Sequence, residues 1–316
     1  MDPEQKELPL SSPHLLGLDG VPARDITRIF ETAESFKEVL GRPIKRVPSL
    51  QGITVVNLFF ERSTRTRISF ELAEKRLSAD VINFTASDSS LSKGETLKDT
   101  ARNIEAMKVD MVVMRHSAAG APHFLARVLH SHVLNAGDGA HEHPTQGLLD
   151  MLTLKEKFGT LEGLHIGIVG DIAHSRVALS NIYGLRTMGA KVTVCGPPTM
   201  IPRGIEMLGV DVCHRIDDLI PHVDALNVLR IQLEREAGAR IPTLREYRTY
   251  FGITRARLER ARHPVTILHP GPINRDVELS ADVADSEHSV ILDQVLNGVA
   301  IRMAVLYLLT LSPLGA

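Results

Sequence analysis

The densest chemistry in the sequence lies at Phe59-Phe60-Glu61-Arg62-Ser63-Thr64-Arg65-Thr66-Arg67, where an apolar run gives way to hydroxyls and guanidiniums. Helical periodicity follows, with Ile68, Leu72, Ala73 and Leu77 on the side expected to be buried. A helix N-terminus presents unpaired backbone N–H groups and a partial positive charge, so it suits an anion. Ser63, Thr64 and Thr66 add hydroxyl donors, and Arg65 adds a fork matched to phosphate oxygens. A capped helix with solvated arginines is the plainer alternative. The convergence of several donor types where the dipole points favours the anion.

Other candidate groups are more dispersed. Ser89-Ser90-Leu91-Ser92-Lys93-Gly94-Glu95-Thr96 reads as a surface loop, in which Lys93 taken alone is an ordinary solvated cation. Arg115 closes the apolar run Val112-Val113-Met114, at the strand end where α/β sheets bind ligands. His141-Glu142-His143 follows another short strand. Histidines two apart face one metal readily only in a strand, and no further ligand cluster accompanies them, so no metal is expected. A neutral His143 donating to a carbonyl or leaving oxygen, with Gln146 nearby, fits better. Gly167-Ile168-Val169-Gly170-Asp171 resembles a dinucleotide-binding opening but lacks the full glycine pattern, so no such cofactor is expected. Arg176, in His174-Ser175-Arg176, stands at a helix start, and Arg230, in Leu229-Arg230-Ile231-Gln232, lies beyond a strand. Two such arginines could fork the two carboxylates of a dicarboxylic ligand or simply be surface charges. His269-Pro270-Gly271-Pro272 ends a strand in a stiff turn whose carbonyls could face an amine or amide.

These residues need a scaffold, and the hydrophobic pattern supplies one. Helical spacing runs from Ala23 to Leu40, and strand-like runs occur at Thr54–Phe60, Val81–Phe84, Val109–Met114 and Val133–Asn135. The alternation restarts with Leu164–Val169, Lys191–Val194, Val210–Cys213, Ala225–Leu229 and Val265–Leu268. This predicts two consecutive α/β units, each a doubly wound, largely parallel sheet, with a boundary between Gly147 and Gly163. A length of 316 residues is consistent with two cores. A final helix places Leu292, Val295, Leu296, Val299, Met303 and Leu306 on one face for docking. The net charge of −2 gives no footprint for nucleic acid or an anionic membrane. Cys195 and Cys213 sit in apolar runs and read as buried structural thiols. The charged N-terminus has no signal-peptide core, and the most apolar stretch, Val299–Leu311, carries Arg302, so a cytoplasmic location is expected.

Taken together, the segments resemble the transcarbamoylase family, and its aspartate branch in particular. The resemblance rests on Ser63–Arg67, Lys93–Thr96, Met114–His116, His143–Gln146, Gly170–Arg176 and Arg230–Gln232, in unbroken order over essentially the whole chain. It implies two Rossmann-like domains joined by helices: 1–146 for carbamoyl phosphate and 147–291 for aspartate, with helix 292–311 returning to the first. It also implies the site. Ser63, Arg65, Thr66 and Arg115 would hold the phosphate, while Thr66, Arg115 and His143 would polarise the carbonyl. Gln146 and the Gly271 and Pro272 carbonyls would orient the carbamoyl NH₂, and Arg176, Arg230 and Gln232 would bind aspartate. Lys93, with Ser89 or Ser90, would enter from a neighbouring subunit of a homotrimer, and domain closure would accompany binding. No cofactor is implied. Gly271 departs from the His-Pro-Leu-Pro common in the aspartate branch and points toward a subgroup without zinc-bearing regulatory chains, in which a dihydroorotase is a candidate partner. An ornithine acceptor or a non-catalytic scaffold are the competing readings. The absence of His-Cys-Leu-Pro argues against the first, and retention of Lys93 and His143 against the second.

Overall fold

The computed structural model describes residues 9–85, 96–231 and 243–314. The chain divides into two compact units, residues 1–149 with 296–316, and residues 150–295. The divisions fall inside two helices, a few residues beyond the expected 146/147 and 291/292. Gly147 interrupts nothing, because the helix Pro144–Phe158 runs straight through it.

The first unit opens with α1 (Ala23–Leu40), whose Ile26, Ile29, Phe30, Ala33, Phe36 and Val39 form one buried stripe. It continues through β1 (Thr54–Phe59), α2 (Thr64–Arg76), β2 (Asp80–Thr85), α3 (Leu97–Glu105), β3 (Met111–His116), α4 (Ala121–Ala126) and β4 (His132–Asp138), then enters α5 (Pro144–Phe158). The four strands are parallel in the order β2-β1-β3-β4. Such sheets bury both faces, which explains the mainly apolar runs of β1, interrupted by the buried Asn57, and of β3. Strand β3 begins two residues later than its apolar run suggests. The Asp110 side chain accepts from Thr54 N at 2.8 Å, and pairing extends to His116 instead. On α2 Ala73 and Leu77 are buried as expected, but Leu72 is only half-buried and Ile68 is 56% exposed, while Phe70 and Glu74 also face inward.

The second unit holds β5 (His165–Val169), α6 (Arg176–Thr187), β6 (Lys191–Cys195), β7 (Asp211–Cys213), α7 (Ile216–Leu219), β8 (Ala225–Val228), α8 (Leu244–Phe251), α9 (Arg255–Leu258), β9 (Thr266–Leu268), α10 (Ala281–Ala284) and the start of α11 (Ile291–Thr310). Its five strands are parallel in the order β7-β6-β5-β8-β9. The core between sheet and helices contains Val169, Cys195, Leu226, Val228, Tyr247 and Ile267. Cys195 is buried there, as expected, but Cys213 on the edge strand is only half-buried, and neither is in a disulfide.

Helix α11 is long and apolar enough to cross a membrane, but 67% of that stretch is buried within the protein. Met303 and Leu306 are fully buried and Val299 nearly so, whereas Leu292, Val295 and Leu296 are exposed, so the apolar face is covered only toward its C-terminal end. Arg302 is accommodated by bonds to Gly298 O (2.7 Å) and Ser69 Oγ (3.1 Å) and by stacking over the Phe70 ring. These contacts, with the edge-on packing of Tyr307 against Phe36, attach the end of α11 to the first unit.

Candidate active site

In the first unit the candidate residues gather at the carboxyl ends of three neighbouring strands. Strand β1 leads through Glu61 to Ser63, which stands at the N-cap of α2, with Thr64, Arg65 and Thr66 in the first turn. The Ser63 side chain makes no capping bond, so its hydroxyl is not committed to the helix. Arg65 is exposed and Thr66 half-buried. Alongside, Arg115 pairs in register with Phe59. Its guanidinium donates to Ala136 O at 2.9 Å and to Glu61 Oε1 at 3.1 Å, which fixes its direction from two sides. Strand β4 then delivers His143, 5% exposed, whose carbonyl accepts from Gln146 N and Gly147 N at the start of α5.

The connection between β4 and α5 is held by two carboxylates. Asp138 accepts from Gly120 N (2.7 Å), Asn135 Nδ2 (2.8 Å) and Glu142 N (3.1 Å), and lies 3.2 Å from His141 Nδ1. Burial pushes the Asp138 carboxyl up, but the bonds from His141, Asn135, Gly120 and Glu142 outweigh it and hold it below its ordinary value. The same bond raises His141. Glu142 accepts from Leu18 N at 2.7 Å and Asp19 N at 3.3 Å. Together the two carboxylates set where His143 stands.

Among the described residues, His123, Asp138 and His141 form the group that could hold a metal, with one ligand atom from each within 4.8 Å of the others. It differs from the His141–Glu142–His143 set suggested by sequence. Both Asp138 oxygens are already engaged by the loop's own donors, so the cluster reads as a loop anchor.

In the second unit the pattern repeats. Strand β5 is followed by Gly170, and Ser175 caps α6 by accepting from Ala178 N at 3.2 Å. Arg176 is the first residue of α6 and 5% exposed. Strand β8, beside β5, leads to Arg230, half-buried. Strand β9, beside β8, leads to His269-Pro270-Gly271-Pro272. Gly271 adopts φ +63, a left-handed conformation that glycine takes without Cβ strain, and the Gly271–Pro272 peptide is cis. His269 Nδ1 accepts from Gly271 N at 2.8 Å, and its Nε2 lies 3.2 Å from Glu278 Oε1.

Ser63, Arg65, Thr66, Arg115, His143 and Gln146 therefore stand at the carboxyl end of one sheet, and Arg176, Arg230, Gly271 and Pro272 at that of the other. Lys93, Ser89, Ser90 and Gln232 lie outside the described residues. Sequence reasoning gave no role to Glu61, Asp138, Asp150 or Glu278. The available signal was a charged residue stranded in an apolar run, as in Leu148-Leu149-Asp150-Met151-Leu152.

Two parallel α/β units, each with cations at the carboxyl ends of adjacent strands, define a class of enzyme that binds anionic substrates. Residues 13–156 match the family model described as aspartate/ornithine carbamoyltransferase, carbamoyl-P binding domain, and residues 162–309 match its Asp/Orn binding domain. The chain is 61% identical over 295 residues, 93% of its length and 92% of the relative's, to an aspartate carbamoyltransferase catalytic subunit of Gemmatimonas aurantiaca. It is 60% identical over 300 residues to the same subunit of Cytophaga hutchinsonii, covering 95% and 98% of the two chains. Among solved structures, it is similar to Trypanosoma cruzi aspartate transcarbamoylase in complex with N-(phosphonacetyl)-L-aspartic acid, with a TM-score of 0.85, 30% identity, and coverage of 96% and 98%. It is also similar to ornithine carbamoyltransferase from Pyrococcus furiosus, with a TM-score of 0.83, 28% identity, and coverage of 95% and 98%. The chain belongs to the aspartate/ornithine carbamoyltransferase family.

Proposed function

We propose that the chain transfers the carbamoyl group of carbamoyl phosphate to the amine of L-aspartate, giving N-carbamoyl-L-aspartate and phosphate, a step of pyrimidine synthesis. The observation that carries this reading is the pair Arg176 and Arg230 at neighbouring strand ends, in a chain about 60% identical to aspartate carbamoyltransferases. Guanidinium forks suit two carboxylates and repel the ammonium of ornithine.

The neutral amine attacks the carbamoyl carbon. Negative charge grows on the carbonyl oxygen, the bond from carbon to the phosphate oxygen breaks, and the amine proton leaves with phosphate. Ser63, Arg65, Thr66 and Arg115 hold the phosphate in this reading, and Thr66, Arg115 and His143 stabilise the charged carbonyl oxygen. Donors fixed before reaction, as Arg115 is by Glu61 and Ala136 O, favour the transition state over the ground state. Gln146 and the carbonyls of Gly271 and Pro272 orient the carbamoyl NH₂. Arg176, Arg230 and Gln232 bind aspartate, and orientation of both substrates supplies the remaining rate.

Lys93, with Ser89 or Ser90, is assigned to a neighbouring subunit of a homotrimer in the cytoplasm. The exposed Ile44, Ile68 and Met107 of the first unit offer apolar surface for such an assembly. Further association with a dihydroorotase, rather than with regulatory chains, rests on Gly271 alone.

Phosphate release with L-aspartate or L-ornithine as acceptor tests the reading. Turnover is expected with aspartate, and Arg230→Ala is expected to lower kcat/KM for aspartate about a hundredfold, the cost of about 3 kcal/mol for one lost charged pair. Turnover with ornithine alone overturns the acceptor assignment. Light scattering of the purified chain tests the trimer.

A further inference from the structure

Asp150 is fully buried in the second unit and lies in none of the segments assigned to substrate. Three carboxamides converge on it. Asn181 Nδ2 and Asn227 Nδ2 donate to Oδ2 at 2.8 and 2.9 Å, and Gln294 Nε2 donates to Oδ1 at 2.7 Å. Their orientation is set by the two Asp150 oxygens that accept from them: Oδ1 of Asn181 and of Asn227 are both buried without a hydrogen-bond partner. Gln294 is fixed from its other end too, since its Oε1 accepts from His269 N at 3.0 Å and a backbone N–H can only donate.

The three amides stand on the elements that present the acceptor residues. Asn181 lies in α6, which begins at Arg176. Asn227 lies in β8, three residues before Arg230. Gln294 grips the first residue of the His269–Pro272 turn. That turn is tied back to the Arg230 segment, because Asn274 N donates to Glu278 Oε1 at 2.6 Å while Asn274 Nδ2 donates to Ile231 O at 3.1 Å.

We propose that Asp150 is a positioning residue for the acceptor half of the site, setting Arg176, Arg230 and the His269–Pro272 turn in mutual register through Asn181, Asn227 and Gln294. The inference rests on the acceptor reading above and adds a residue that touches no substrate.

The donor and acceptor pattern makes a sharp test. In Asp150→Asn the carboxamide can keep an oxygen toward Asn181 and Asn227, but then its NH₂ faces the Gln294 NH₂. Flipping Gln294 moves the donor–donor conflict to His269 N. Adding Gln294→Glu removes it, because one oxygen of the new carboxylate accepts from the introduced carboxamide and the other from His269 N. Steady-state kinetics of the full-length enzyme should show KM for aspartate raised about tenfold or more in D150N, with kcat lowered, because small misplacements of binding groups are costly. KM for carbamoyl phosphate should change less than KM for aspartate, since Ser63, Arg65, Thr66 and Arg115, which hold its phosphate, belong to the other unit. The double variant D150N/Q294E should recover most of the loss, and the split between the two KM values is what a merely structural role would not predict. If D150N fails to fold, Gln294→Met, which keeps volume and removes only the bridge to the turn, carries the same kinetic expectation.

An aspartate KM unaltered in the variants, or a double variant no better than D150N, overturns the proposal while wild-type turnover stands. Wild-type turnover that ignores aspartate overturns the acceptor reading and the proposal with it.

Discussion

Replacing Glu74 with glutamine is expected to relieve a weakness of the first unit that grows with pH. Glu74 is fully buried on α2, where its Oε2 accepts from Asn57 Nδ2 at 2.9 Å, and Asn57 also donates to Asn83 Oδ1 at 3.1 Å. Burial pushes its carboxyl from the usual 4.5 up to about 8, against the opposing bond from Asn57. Below pH 4.5 the group is protonated whether the chain is folded or not, and it costs nothing. Between 4.5 and 8 the unfolded chain gives up a proton that the native protein keeps, so stability falls by about 1.4 kcal/mol per pH unit. Above 8 the full cost remains, at most about 5 kcal/mol. Glutamine retains an oxygen for Asn57 and cannot ionise. Urea denaturation of wild type and E74Q, followed by far-UV circular dichroism, should give similar midpoints near about pH 5, with E74Q increasingly the more stable toward about pH 8. A stability difference that stays constant across that range would refute the reasoning, for it would show that Glu74 is ionised in the native protein.

Other expectations are independent of this one. His143→Ala should lower kcat by about a hundredfold or more, with a smaller effect on KM for aspartate, as steady-state kinetics would reveal. Gly170→Ala should destabilise the second unit by about 1–3 kcal/mol and weaken aspartate binding, read by urea denaturation and aspartate titration. Gly170 has φ +128, and a Cβ there would meet Leu229 O, Leu229 Cβ and Tyr247 Oη at 3.1–3.2 Å, next to Arg230. Burial, reinforced by Cys213, pushes the Cys195 thiol far up, so iodoacetamide should leave it unmodified in the native enzyme and label it after denaturation, read by peptide mass.

The elements were largely legible because parallel strands buried on both faces leave mainly apolar runs, and α1 shows helical spacing from Ala23 to Leu40. Burial on α2 was legible at Ala73 and Leu77 but not at Ile68 or Glu74. Ile68 carries the right chemistry for a core but sits on the open side, while the polar Glu74 is drawn inward by Asn57. The same limit applied to the site. Ser63, Arg65, Thr66, Arg115, His143, Gln146, Arg176 and Arg230 could be picked out because cations and hydroxyls cluster where strands end. Asp150 could not, because its three amide partners are 31, 77 and 144 residues away in sequence. A buried carboxylate announces itself only as an interruption of an apolar run, and what satisfies it is decided by the tertiary structure.

The placement of the last helix bears on how the chain comes into being. Leu10 N donates to Ser312 Oγ at 3.1 Å, and Arg302 and Tyr307 reach Ser69 and Phe36. The first unit thus borrows its final segment from residues 296–316, while the second is drawn from the uninterrupted stretch 150–295. On a ribosome, the unit begun first is finished last. The stretch that follows it is synthesised in full before the segment that completes the first unit emerges. Until then the apolar faces that α11 will cover, Phe36 and Phe70 among them, remain open to water and to chaperones.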